Sequence, residues 1–215
     1  MDDDEQARAY AEADFADAHD GFVSALKDAL GDSDLGGAVL DLGCGPADVT
    51  VRVAKAFGAS TIHGVDGSRA MLRYGEIRLA RHPEVSGRIE LVYGLLPRAE
   101  MPREKYDAVI SNSLLHHLPD PRILWSAISK WADGGALVFI MDLMRPPSVE
   151  EARRLVDAYA SGEPEVLRTD FFNSLLAAFE TGEVEQQIAE AGLNGLSVRP
   201  VSDRHFVVSG RASSA

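Results

Sequence analysis

The chain has 215 residues, room for one α/β domain with a sizeable core and not comfortably two; 46% are hydrophobic. No apolar run approaches the roughly 20 residues that span a bilayer, and the acidic start MDDDEQARAY lacks a signal peptide's apolar segment. One cysteine, Cys44, excludes an internal disulfide and a cysteine-cluster zinc site, and a formal net charge of −13 opposes autonomous nucleic-acid binding; a cytoplasmic protein is expected.

Residues 4–30 read as one amphipathic helix, with Ala7, Tyr10, Ala11, Phe15, Ala18, Phe22 and Leu26 on one side. The acidic leader Asp2 to Glu5 reads as its solvated start. AVLDLGC (38–44) is an apolar run closed by glycines, which predicts a buried parallel strand. A helix over 47–57, with Val49, Val53 and Phe57 on one stripe, leads to a strand over 61–66. A helix over 68–83 begins at Ser68, an N-cap residue type. Strands follow over 88–94 and 106–113, then a helix over 121–132 with proline in its first turn, then an apolar strand over 135–144. Helical segments near 148–160, 170–180 and 182–191 precede a tail that reads as two antiparallel strands joined at Ser202–Arg204. The last five residues read as frayed. Strands alternating with helices predict a parallel sheet with right-handed crossovers.

Gly43 and Gly45 lie where the first strand turns into the first helix. Glycine there permits a tight turn and a close approach of backbone to ligand, and the helix N-terminus suits a carboxylate or phosphate. Asp66 ends the second strand, 21 residues after Gly45, where an acid accepts hydrogen bonds from ribose hydroxyls. These features predict a site for an adenosine-containing cofactor. A dinucleotide fingerprint wants a third glycine, and the chain has Asp48 there; a carboxylate beside a pyrophosphate is repulsive, which disfavours NAD.

VLDLGCGPADVT (39–50) resembles the first motif of the class I S-adenosylmethionine-dependent methyltransferases. GVDGSRAML (64–72) resembles that family's acidic loop, and YDAVISNSLLHHLPDP (106–121) its fourth-strand motif. The resemblance runs from about residue 36 to 145. It implies a Rossmann-like α/β sheet of seven strands in order 3-2-1-4-5-7-6, the last antiparallel, with helices on both faces and extra helices at the N-terminus and before strand 6. One domain is expected: a helical lid over 1–30, a cofactor core over 31–145, helical additions over 146–195 and a closing hairpin over 196–211. S-adenosylmethionine is the implied cofactor. Its methionine part would lie at Gly43, Cys44 and Gly45, with Asp41 attracting the amino group, and Asp66 would hold the ribose. Gly67 and Met71 would line the adenine side, and Asn112, Ser113 and His117 the methionine edge. The family often has an acid just after the third strand; here Leu95 stands there, leaving Leu95 and Leu96 as apolar contacts for adenine.

Methyl transfer by in-line displacement needs alignment and water exclusion, with a base only where the acceptor demands one. His116, His117 and Asp142 are the candidate catalytic residues, the histidines read either as a base or as loop and cofactor contacts. Arg145 reads either as a partner for an anionic acceptor or as half of a salt bridge. Arg168 and Asn173, with Asp170, read either as a pocket wall or, through Asp170, as a helix cap. Arg204 and His205 belong to a turn or to the site's rim, with the turn favoured. Tyr10 reads as lid or packing, and Cys44 as a small buried side chain rather than a nucleophile. No metal site is expected. A small-molecule methyltransferase, as a homodimer or with a partner subunit, is the expected function. The rivals are a protein or tRNA methyltransferase that borrows a partner's surface, and a non-catalytic cofactor-binding regulator.

Overall fold

The computed structural model describes residues 4–13, 15–31 and 33–212. In chain order these form α1 (Asp4–Glu12), α2 (Ala16–Leu30), β1 (Ala38–Leu42), α3 (Asp48–Ala56), β2 (Thr61–Asp66), α4 (Arg69–Ala80), α5 (Pro83–Ser86) and β3 (Ile89–Tyr93). There follow β4 (Tyr106–Asn112), a 3-10 turn (Leu115–His117), α6 (Arg122–Trp131), β5 (Ala132–Leu143), α7 (Val149–Tyr159), α8 (Glu165–Ala177), α9 (Thr181–Glu190), β6 (Leu196–Pro200) and β7 (His205–Arg211).

The strands make one seven-stranded sheet in order β3-β2-β1-β4-β5-β7-β6. β7 is antiparallel to both of its neighbours, and the β1 to β5 pairs are parallel. The expected topology is therefore present. Strand order reverses between β1 and β4, which opens a crevice beyond their carboxyl ends, the usual ligand position in open α/β sheets. Apolar layers cover both faces. On one side Trp125, Ile128 and Trp131 of α6 and Val184 and Ile188 of α9 pack on Val109, Val138, Ile140 and Phe206. On the other, Phe22 and Leu26 of α2 and Val49 and Val53 of α3 pack on Val39, Ile110 and Phe139, with Phe22 edge-on to Phe139 at 5.1 Å. Because both faces are covered, β1 is buried at every position and β5 from Ala136 onward.

Three expectations change. The N-terminal helix is two helices, not one: Phe15 sits outside helical geometry before α2 and stacks on Tyr10 at 4.9 Å. The break resets the helical phase, so His19, Phe22, Leu26 and Leu30 face inward and Ala18 faces solvent. α8 begins at Glu165 because Pro164 starts it, so Asp170 lies inside the helix rather than at its N-cap; Phe179 falls beyond it and bridges to Met144. Arg211 and Ala212 are paired rather than frayed, Ala212 donating to the Ala136 carbonyl at 2.8 Å. The acidic leader lies outside the described residues at Asp2 and Asp3, as do the side chains of Asp4 and Glu5.

Candidate active site

The apolar run of β1 ends at Leu42, and the chain folds back over β2. Gly43 and Cys44 both donate backbone N–H groups to the Val65 carbonyl, at 2.8 and 3.1 Å. Gly43 has φ +70 and Gly45 φ +53, left-handed values that favour glycine. A Cβ on Gly43 would lie 2.7 Å from the tip of the Leu114 side chain, so this strand end disfavours a side chain. The result is a bare backbone cradle at the mouth of α3, the kind of surface a cofactor's polar tail can approach closely.

Asp66 stands beside it. One carboxylate oxygen accepts the Gly45 N–H at 2.9 Å and the other the Ser68 N–H at 2.7 Å. A carboxylate accepts hydrogen bonds at about four positions, the chemistry that suits ribose hydroxyls. Asp41 lies under the turn, 2% exposed, where its carboxylate accepts the Thr50 hydroxyl at 2.6 Å. Burial pushes its pKa up to about 7, against the Thr50 hydrogen bond and with the Asp66 charge. Cys44 is buried and its thiol is pushed up by that burial, as suits an unreactive side chain.

Beyond β2, Gly67 lies against Leu95: a Cβ there would meet the Leu95 side chain at 2.8 Å. Leu95 is 68% exposed, open to a flat ligand, whereas Leu96 packs against the core. The Arg69 guanidinium lies 3.7 Å over the Tyr93 ring at the same corner. Met71 is buried beneath α1, in a cluster with Ala7, Tyr10, Ala70 and Tyr74.

Asn112 ends β4, and Ser113 follows with φ +56, its N–H held by the Met141 carbonyl at 2.9 Å. A non-glycine residue in this conformation costs about 1 to 2 kcal/mol, and such strain concentrates at functional sites. The next turn carries a second buried polar pair near the crevice. His116 Nδ1 lies 2.5 Å from Asp142 Oδ1, and both side chains are almost fully buried. Asp142 is fixed further by N–H groups of Leu115, at 2.7 Å, and Leu143, at 2.8 Å. The exposed His117 stacks over His116 with ring centroids 4.0 Å apart. Tyr10 closes this side: burial raises its phenol to about 12, helped by the carboxylates of Asp142, Asp48 and Asp66.

The remaining sequence candidates face elsewhere. Arg145 pairs with Glu183 at 2.7 Å and Glu180 at 3.3 Å, the two residues of the α9 capping box, so the salt bridge is the arrangement present. Arg168 donates to Asp157 of α7 at 2.9 Å, and Asn173 is exposed. Arg204 lies 3.4 Å over the Tyr159 ring and pairs with Asp203 at 3.0 Å.

Two features escaped sequence reading, and a third, His205, reads in the sequence as turn or site rim with the turn favoured. His205 lies opposite Leu143 in the sheet register, one position from Asp142, and burial with the nearby Arg204 lowers its pKa to about 4. Leu114 fills the space above Gly43. Asp48 turns away from the cradle: Arg78 Nη1 donates to it at 2.6 Å, Arg52 Nε at 3.1 Å, and the His19 ring lies 2.5 Å off. With its charge offset in this way, the repulsion argued against NAD loses its basis, and the cofactor class must rest on other findings.

A family model for a methyltransferase domain matches residues 39–135, from the start of the cradle strand into β5. That stretch of the chain is therefore similar to a methyltransferase domain. The cradle fits S-adenosylmethionine: the positive-φ glycines at Gly43 and Gly45 leave backbone bare beside the Asp66 carboxylate. Among relatives of this chain, an uncharacterized methyltransferase of Mycobacterium tuberculosis is 31% identical over 108 residues, 50% of this chain and 51% of the relative. A trans-aconitate 2-methyltransferase of Methylobacterium radiotolerans is 32% identical over 128 residues, 58% of this chain and 44% of that one. The chain thus spans about half the length of the curated relatives it matches, or less. The solved structure of an S-adenosylmethionine-dependent methyltransferase from Aquifex aeolicus shares the fold, with TM-score 0.71 at 17% identity and 98% of each chain covered.

Proposed function

We propose that this protein methylates a small-molecule acceptor that has a proton to lose, with His116 as the general base. The observation that carries this reading is the buried His116–Asp142 pair at the carboxyl ends of β4 and β5. When bound, S-adenosylmethionine supplies an electrophilic methyl group on a sulfonium centre. Gly43, Cys44 and Gly45 receive its amino-acid end, Asp41 beneath the turn attracts the amino group, and Asp66 orients the ribose. Gly67, Met71, Leu95 and Leu96 border the base, and Asn112, Ser113 and His117 border the sulfur side. Asp142 accepts the Nδ1 proton of His116 and so leaves Nε2 with its lone pair, able to take a proton from an acceptor hydroxyl or amine. Tyr10 excludes water from above.

Acceptor size follows from what surrounds the crevice. α1 closes one side, and α7 and α8 add a cluster built on Leu143, Leu155, Val156 and Leu175. The outer strand β6 turns Ser197, Arg199 and Pro200 to solvent, a polar edge that supports a small acceptor over a docked macromolecule. The trans-aconitate methyltransferase among the relatives is named for a small acid, which supports the same class. The test is methyl uptake from labelled S-adenosylmethionine into a metabolite panel, run with wild type and His116→Gln. Labelling of a small acceptor that the variant loses is expected. Uptake confined to protein or RNA, or unchanged in the variant, overturns the reading.

A further inference from the structure

Arg78 joins three parts of the molecule through three different nitrogens. Nε donates to the Pro46 carbonyl of the cradle turn at 2.9 Å, and Nη1 to Asp48 at the start of α3 at 2.6 Å. Nη2 donates to the Ala11 carbonyl, in the last turn of α1, at 3.3 Å. Ala70, Met71, Tyr74 and Arg78 lie three and four residues apart, so one stripe of α4 carries both the floor under Ala7 and Tyr10 and this guanidinium. A cavity of about 680 Å³ opens beneath α1, bounded by Tyr10, Phe15, His19, Asp48, Ile77 and Arg78. Among the described side chains, an apolar patch and Arg78 tie α1 to α4.

We propose that Arg78 is a positioning residue that couples closure of α1 to the shape of the cofactor cradle. It touches neither reactant. Its fork holds the Pro46 carbonyl, so the backbone from Gly45 to Ala47 keeps its left-handed turns, and it fixes the end of the helix that carries Tyr10. A planar guanidinium can hold three acceptors in different directions at once, whereas an ammonium is a point donor. Asp48 makes the joint rigid, because His19 and Arg52 anchor the same carboxylate to α2 and α3. Coupling of this kind is reciprocal: what tightens the lid tightens the cradle, and a filled cradle tightens the lid.

The inference rests on the cofactor lying at the cradle, and the experiment separates the two ideas. Hydrogen exchange of residues 4–13 is measured in the free protein and with S-adenosylhomocysteine, for wild type, Arg78→Gln and Arg78→Lys. Dissociation of S-adenosylhomocysteine is timed alongside. Loss of charge-assisted hydrogen bonds predicts about tenfold faster lid exchange and about tenfold faster dissociation in Arg78→Gln. It also predicts weaker lid protection by the ligand, with β1 and β4 exchanging as in wild type. Arg78→Lys, which keeps one acceptor, falls between and decides the matter if Arg78→Gln does not fold. Lid exchange equal to wild type, or faster exchange with unchanged dissociation, overturns the proposal. Failure of wild type to bind the ligand overturns the cofactor reading instead, while lid exchange in the free protein still tests the latch.

Discussion

The Gly45 N–H donates to Asp66 Oδ2 at 2.9 Å, so the cradle turn and the Asp66 carboxylate are one unit before any ligand enters. Removing the acid therefore takes away the proposed ribose contact and a support of the turn together. Asp66→Ala is expected to weaken S-adenosylhomocysteine binding by about 10- to 100-fold, the range of one or two charge-assisted hydrogen bonds. Isothermal titration checks it; unchanged affinity would remove Asp66 from the site.

Gly43 disfavours a side chain: its φ is +70, and a Cβ placed on it would lie 2.7 Å from the tip of the Leu114 side chain, which would have to shift. Gly43→Ala is expected to cost about 1 to 3 kcal/mol of stability from the left-handed backbone and the displaced leucine. It is also expected to abolish measurable cofactor binding. Denaturant unfolding and titration read the two effects separately, and a variant that binds normally would show the cradle to be open at this point.

The His116–Asp142 pair predicts a split between chemistry and binding. Asp142→Asn is expected to lower kcat by roughly 100-fold or more while cofactor affinity stays within a few-fold, since positioned proton transfer contributes on that scale. Steady-state kinetics with the acceptor found by labelling, alongside cofactor titration, check this. Equal losses in both would assign the pair a structural role.

Asp41 predicts a pH signature. Its folded pKa is raised to about 7 from the ordinary aspartate value of 3.8, so between those limits the folded state holds a proton that the unfolded state has released. Stability from this residue is therefore present at acid pH and declines as pH rises toward 7. Asp41→Asn is expected to be worse than or equal to wild type near pH 5 and to gain on it by pH 8. Chemical unfolding at the two values checks the sign; a parallel offset at both contradicts it.

Arg145 predicts little for catalysis. Its guanidinium holds Glu180 and Glu183 at the start of α9. Arg145→Ala is expected to leave the KM of the acceptor unchanged and to cost under about 1 kcal/mol, as exposed pairs do. A large rise in that KM would return Arg145 to the acceptor site.

The sheet and the cradle were legible because their signals are local. Apolar runs closed by glycine, and an acid ending the next strand, mark strand ends and backbone turns without any tertiary knowledge. Asp41, Gly43, Gly45 and Asp66 come together for that reason. Partners of long charged side chains were not legible. Arg145, Arg168 and Arg204 each found a carboxylate, and for Arg145 and Arg168 nothing in the sequence spacing states that α9 or α7 would supply it. The same holds for Asp48, whose three partners come from α2, α3 and α4. The break between Glu12 and Ala16 was hidden because the apolar pattern runs on through it; the non-helical backbone of Phe15 and its stacking on Tyr10 show it. His205 was masked by its turn-like surroundings, since antiparallel register with β5 is what brings it beside Asp142.

The most direct test is a crystal structure with S-adenosylhomocysteine. Density is expected across Gly43–Gly45, with the ribose hydroxyls on Asp66, the sulfur facing Asn112 and Ser113, and His116 on the acceptor side. Density in the cavity beneath α1 instead, or none at saturating ligand, would contradict the cofactor placement on which the rest depends.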